Sequence, residues 1–374
     1  MNFDLTEEQA LLKASVERFC AERYGGDLEK RRRYRADPTG FDRAGWTQLA
    51  RLGLTALPFT EADGGLGGGP VDLVAVAEPL GCALATEPFT ECLVAGGALI
   101  AAAGTVAQRE AMLPGIISGD ILPTLAILET AGRYNLAHVE TRARRTADGW
   151  VLSGAKTAVW QGLAADVFLV SARVEGDIRD ALGIALFAVP ANSRNVDCRP
   201  WRATDGQVAV ELALRDAMVG ESARLGGAGS LRSLESAVQQ SWLAASAEML
   251  GAATLLFDAT LAYVKTRSQF GRTLGSFQVV QHRLTDCYVA LEQARSMVYR
   301  AALAPGPERA RSIAGTKAFV SDAARKVSHE AVQFHGGMGV TDELVVGHGL
   351  KRIQFLSRLW GDPDTAAMIW SKAA

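Results

Sequence analysis

The five cysteines, at positions 20, 82, 92, 198 and 287, are odd in number and scattered. No CxxC pair and no Cys/His spacing of a zinc or redox site occurs among them, so a metal centre and a disulfide framework are both unexpected. They read as reduced, buried small residues. No charge of one sign predominates: 39 Lys and Arg face 41 Asp and Glu, a formal net charge of −2. A global field that would hold nucleic acid or an anionic membrane is therefore lacking, and any basic site has to be local. The N-terminus, MNFDLTEEQ, is acidic and lacks the basic-then-apolar order of a secretory signal, and no apolar run approaches the roughly 18 residues of a membrane span. A reducing compartment such as a bacterial-type cytoplasm is the expected location. There is no repeat and no low-complexity tract.

What is present is a globular composition, 48% hydrophobic and 21% charged, in 374 residues. That length suits two or three packed domains, because single cores stop growing near roughly 250 residues. The first third is helix-forming. Thr6 precedes acids and an apolar stripe at Leu11, Leu12, Val16 and Phe19, the pattern of a capped amphipathic helix over 5–23. Further helices are expected near 41–53, 70–86, 90–103 and 105–117.

From Pro123 the pattern changes to short β-branched or alternating runs such as GWVLSGAKTAVW and DVFLVSARV, punctuated by DG and SG turns. Near Leu231 it reverts to three long helical stretches joined by short connections, which favour antiparallel neighbours in a bundle. The expected fold class is α+β, mostly α. It comprises an N-terminal helical domain (1–122), a central antiparallel β domain (123–230) and a C-terminal four-helix bundle (231–374).

Two stretches could carry chemistry. In RSQFGRTLGSFQ, Arg267 and Arg272 flank Phe270 and Gly271 between two helices, and Gln278 opens the second. Two guanidinium forks at one turn suit a phosphate, and Phe270 could lie against a flat ring. Basic residues at helix ends also complement the helix dipole without any ligand. In AVQFHGGMGVT, a long helix ends on Gly336, Gly337 and Gly339 beside Gln333 and His335. A C-cap accounts for one glycine, not three. The other histidines, 138, 282, 329 and 348, show no ligand spacing.

These residues carry a resemblance. TEEQ, EADGGLGGGP, GWVLSGAKTAVW, RSQFGRTLGSFQ and AVQFHGGMG follow the order and spacing of the acyl-CoA dehydrogenase family over nearly the whole chain. The resemblance implies a dimer of dimers that desaturates an acyl-CoA thioester at its α,β carbons, with FAD at subunit interfaces and an electron-transferring flavoprotein as possible acceptor. It implies that Arg267, Phe270 and Gln278 contact the ADP half of FAD, with Gln333, Gly336 and Gly337 bordering the same portion.

The family's catalytic base is usually a glutamate in a Tyr-Glu-Gly-Thr stretch. The matching residues are Leu359-Trp360-Gly361-Asp362, so Trp360 occupies the base position and Asp362 is a weak substitute. The alternative position on the first bundle helix is Ser241, with Glu235 and Glu248 on the same helix but poorly placed. On the flavin side, LETAGRYN (128–135) stands where TEPxxGSD is usual, and Ala158-Val159-Trp160-Gln161 where Trp-Ile-Thr-Asn is usual. The chain therefore resembles the glutamate-lacking subunit of heterotetrameric, steroid side-chain type acyl-CoA dehydrogenases. A self-sufficient homotetramer with an unrecognised base, and a catalytically silent acyl-CoA-binding or structural subunit, are the alternatives.

Overall fold

A computed structural model describes residues 3–227 and 229–372. Helices come first, then a sheet, then helices again, in the order expected. The chain divides into two compact units, each assembled from separate segments: 1–33, 70–85 and 242–374 form one, and 34–69 with 86–241 form the other.

The first unit holds helices α1 (Glu7–Arg23), the start of α2 (Leu28–Ala36), α4 (Pro70–Cys82), most of α7 (Ser230–Thr266), α8 (Gln278–Leu303), α9 (Gly306–His335), α10 (Val345–Arg358) and α11 (Pro363–Lys372). Thr6 begins α1 with a full capping box: its hydroxyl accepts from the Gln9 N–H while the Gln9 side chain accepts from the Thr6 N–H. Helices α4 and α7 meet backbone to backbone. A Cβ added at Gly251 would lie 2.0 Å from the Glu78 carbonyl, and one at Gly81 would lie 2.1 Å from the Glu248 carbonyl. Any larger residue at either position would force the helices apart.

Contrary to the expectation that no apolar run approaches a membrane span, helix α7 is long and apolar enough to cross a membrane by length and composition. Of its apolar stretch, 56% is buried inside the protein. The same composition therefore serves a core helix, with Ala244, Ala245, Ala247, Leu250 and Leu256 all within 1% of complete burial.

The second unit contains α3 (Arg43–Arg51), a π-helical segment (Phe89–Gly97), α5 (Ala98–Ala103), α6 (Val106–Ile117) and the strands. These are β1 (Pro123–Ala126), β2 (Arg142–Thr146), β3 (Gly149–Trp160), β4 (Val167–Arg173), β5 (Ile184–Pro190), β6 (Val196–Arg202), β7 (Val208–Val219) and β8 (Arg224–Leu225). They form one sheet in the order β6-β7-β3-β2-β4-β5-β8, with β1 beside β4. Most pairings are antiparallel, but β1 and β2 each meet β4 in parallel, a departure from the all-antiparallel expectation. The alternating inward residues, among them Trp150, Phe168, Phe187, Val210 and Leu212, make a single hydrophobic cluster.

Two expectations from the sequence need correction. Cys20, Cys92 and Cys287 are buried, but Cys82 is exposed and Cys198 half-buried, so burial does not describe all five thiols. The segment 90–103 is not one α-helix; its first part is π-helical and wholly buried.

Candidate cofactor and active site

The turn between α7 and α8 is a hairpin, not a plain helix connection. Strands β9 (Ser268–Gln269) and β10 (Arg272–Thr273) pair antiparallel around Phe270 and Gly271. Both central residues have positive φ, 54° and 77°, as a primed two-residue hairpin turn requires. Glycine accepts that geometry freely, whereas a bulky aromatic does so at a cost. Phe270 nonetheless sits there 88% exposed. Its ring meets Phe277 edge-on at 6.2 Å, and the Arg272 guanidinium lies 3.9 Å over the Phe277 ring. Arg267 and Gln278 are exposed beside this hairpin. A strained, solvent-facing phenylalanine amid two arginines gains nothing for the core, and its geometry suits stacking on a ligand.

The glycine stretch comes to the same end of the bundle. His335, the last residue of α9, stacks on Tyr263 of α7 at 4.3 Å and 24°, and its Nδ1–H donates to the Ala331 carbonyl at 2.8 Å. Phe334 joins Phe257, Leu261, Tyr263, Leu274 and Phe277 around Val264, Val280 and Leu284, so the ends of α7 and α9 and the start of α8 share one small core. Gln333, Gly336 and Gly337 are exposed above it. Gly336 needs its positive φ of 61°, but Gly337 has neither positive φ nor any atom within 4 Å of an added Cβ. Nothing among the described residues explains the glycine at 337. Bare backbone there allows close approach by a group from outside.

The turn after α10 is different in kind. Trp360 follows α10 with φ 50°, is 1% exposed, and its indole N–H has no hydrogen-bond partner among the described residues. Trp242 Nε1 donates to the Leu359 carbonyl at 3.1 Å, and a Cβ at Gly361 would lie 2.3 Å from the Trp242 ring. Lys317, completely buried, donates to the Leu356 carbonyl. Burial pulls its ammonium down to about 7, against the opposing pull of Asp362 and Glu248. The turn is thus braced from two sides around an indole.

None of the nearby acids is placed as a base. Asp362 Oδ1 accepts from the Thr365 N–H at 2.8 Å at the start of α11, a helix-capping contact. Glu248 is buried and receives Arg352 at 2.7 Å. Ser241 is fully buried and donates to the Val238 carbonyl, and Glu235 is exposed.

In the second unit, Glu129 accepts from the Thr141 N–H and hydroxyl and from Lys156, whose Nζ lies 2.6 Å away. Burial alone would raise the Glu129 carboxyl, but Lys156 holds it below its ordinary value, while burial draws Lys156 down to about 8. Glu129, His138 and Glu140 bring ligand atoms within 4.8 Å of one another, yet the Lys156 ammonium on Glu129 already fills the role a cation would take. Asn135 is spent on a local turn, accepting from the Ala137 N–H. Ala158 and Gln161 both have positive φ, Trp160 packs edge-on against Trp201 at 5.4 Å, and the Gln161 amide is fully buried without a hydrogen-bond partner among the described residues. A buried network missed in the sequence joins Glu91 of the π-helical segment to Gln207 at 2.8 Å, and Gln207 to Arg35. Its members lie far apart in sequence, and nothing in their local patterns pointed to it.

Comparison with known proteins gives a consistent result. Three family models match in order: acyl-CoA dehydrogenase N-terminal domain over residues 6–120, middle domain over 124–215, and C-terminal domain over 230–374. The 3-sulfinopropanoyl-CoA desulfinase of Paraburkholderia xenovorans is 30% identical over 353 residues, covering 91% of this chain and 89% of its own. Among solved structures, the ChsE4-ChsE5 complex from Mycobacterium tuberculosis superposes with a TM-score of 0.88 at 28% identity, covering 100% of this chain and 98% of that one. A variant of the Tcur3481-Tcur3483 steroid ACAD does so with a TM-score of 0.86 at 28% identity, covering 98% and 97%.

Proposed function

This chain belongs to the acyl-CoA dehydrogenase family, and from that premise we propose that it is the base-less subunit of a heteromeric, FAD-dependent acyl-CoA dehydrogenase. The proposal assigns Arg267, Phe270 and Gln278, with Gln333, Gly336 and Gly337, to the ADP half of FAD. Their exposure, the strained Phe270 and the unexplained glycine at 337 support that assignment. The flavin side fits poorly. Leu128 and Trp160 stand where the family's threonines would offer hydroxyls, Tyr134 where its serine would, and Ala158 where a tryptophan would wall the ring. When bound, FAD supplies the acceptor for the hydride leaving the β-carbon of an acyl thioester.

The observation that carries the reading is Trp360. Removal of the α-proton needs a carboxylate near the flavin, and the residue that matches the family's glutamate in sequence is an indole, buried in a turn held by Trp242 and Lys317. A second chain that retains the glutamate would supply the base, while this chain grips the nucleotide's phosphates. The two structural relatives named as two-chain proteins, one of them a steroid ACAD, support a second acyl-CoA dehydrogenase chain as partner and a bulky thioester as substrate. The three-part division at 1–122, 123–230 and 231–374 is proposed with it, supported by the similar limits of the family models. Cytoplasmic location and reoxidation by an electron-transferring flavoprotein belong to the same reading.

A self-sufficient homotetramer using Asp362 is less well supported, because that carboxylate caps α11. Co-expression with a glutamate-bearing family member tests the proposal. In the complex, replacing the partner's glutamate should abolish thioester-dependent turnover, while Asp362→Asn here should leave it intact. Loss of turnover on Asp362→Asn, with flavin retained, would make this chain its own base.

A further inference from the structure

Among the described residues two lysines are buried almost completely, Lys156 and Lys317, and they are held in opposite ways. Lys156 Nζ lies 2.6 Å from Glu129 and donates to the Ser171 hydroxyl at 3.1 Å. Its charge is matched. Lys317, on α9, touches no carboxylate among the described residues. Its Nζ donates to a single acceptor, the Leu356 carbonyl in the last turn of α10. The charged groups that act on it from neighbouring elements are Asp362, in the turn before α11, and Glu248 of α7. Both are engaged elsewhere: Asp362 Oδ1 accepts from the Thr365 N–H, and Glu248 receives Arg352 of α10.

An ammonium has three N–H groups to place and a full charge to desolvate, and one carbonyl meets only part of either need. A neutral amine keeps the donation to Leu356 without the charge. Burial accordingly draws the group down to about 7, with Asp362 and Glu248 opposing. The turn that this contact secures is itself costly. The Leu356 carbonyl also accepts from the Leu359 N–H at 3.3 Å, Trp360 is left-handed at φ 50°, and its buried indole N–H has no partner among the described residues. Such a turn persists only while its surroundings over-determine it.

We propose that Lys317 is a proton-operated latch on the turn that carries Trp360. As the neutral amine it seats inside the bundle and holds the end of α10; on taking a proton it favours a state in which the turn has opened and the lysine meets water. Once exposed, the lysine titrates at its ordinary 10.5, against about 7 in the closed turn. The open state therefore binds more protons throughout that interval. The closed turn gains stability as pH rises from about 7 to 10.5 and is insensitive to pH below it. His348 acts in a different window, below 6.5.

Hydrogen exchange of the purified chain, followed by mass spectrometry between pH 7.5 and 9.5 and corrected for intrinsic amide rates, tests it. Protection of the fragment 356–362 should rise by up to about tenfold per pH unit, while the fragment 7–23 from α1 shows a smaller slope. Lys317→Met keeps the length of the side chain without the charge, and its 356–362 fragment should be equally protected across the range. Flat protection in the parent, the same rise in Lys317→Met, or an equal slope in α1, which would mean global unfolding, would each overturn the latch. If Lys317→Met does not fold, the two fragments of the parent decide the matter. The readout involves neither flavin nor turnover, so its outcome is independent of the proposed enzymatic role.

Discussion

The indole N–H of Trp242 donates to the carbonyl of Leu359 at 3.1 Å, tying the centre of the bundle to the turn that carries Trp360. Both residues are at most 2% exposed. Trp242→Phe keeps most of the ring but leaves the Leu359 carbonyl without this donor, a loss of about 1–3 kcal/mol. Chemical denaturation should show that loss; a change within about 0.5 kcal/mol would mean the bond does not brace the turn.

Asp362 is read as a helix cap. Asparagine caps nearly as well as aspartate, whereas alanine costs about 1 kcal/mol. Asp362→Asn should therefore melt like the parent and Asp362→Ala lower. Equal destabilisation by both would show that the charge, not the cap, matters.

The buried pair of Glu248 and Arg352 links α7 to α10 at 2.7 Å. Removing one member of a buried ion pair is costly, so Glu248→Ala should cost about 3–5 kcal/mol, while replacing both by leucine should cost far less. A double-mutant cycle measures the difference, and additive losses would contradict a coupled pair.

His348 gives the stability a dependence on pH. Burial, with Arg31 adding to it, holds its pKa below the ordinary 6.5, while the Asp342 carbonyl opposes the shift. The unfolded chain therefore takes up a proton first as pH falls. Stability attributable to this group is complete above pH 6.5 and declines as pH falls from there through the lowered folded value. Asp342, held low by Lys351, titrates below 3.8 and lies outside that window. Unfolding free energies between pH 7.5 and 5 should fall more steeply for the parent than for His348→Gln. Parallel curves would refute the assignment.

How much of this was legible in the sequence follows from how local each cause is. The Thr6 capping box, the start of α8 at Gln278 and the helix end at His335 rest on a few adjacent residues, and all could be read directly. The left-handed Phe270 hairpin was not, because nothing in RSQFGRT distinguishes a two-residue strand pair from a plain turn. The π-helical turn at Phe89–Gly97 was misread as α because a one-residue widening leaves the hydrophobic pattern almost unchanged. Trp360 could be placed by counting from Gly336, but the contacts of Lys317 with Leu356 and of Trp242 with Leu359 that brace its turn span 39 and 117 residues. Only the folded chain brings those groups together.

The cationic corner should be separable from stability. Arg267→Gln and Phe270→Ala alter exposed side chains, so melting temperatures should hold, while flavin retained by the assembled complex should fall by about tenfold or more for the arginine. Full retention would remove these residues from the cofactor site.

Flavin content measured by absorbance, alongside mass, for this chain alone and for its complex with a glutamate-bearing partner tests the central claim most directly. The expected result is a flavin-poor chain alone and a complex carrying fewer flavins than subunits. Four flavins in a homotetramer of this chain, reduced on addition of an acyl-CoA, would contradict it.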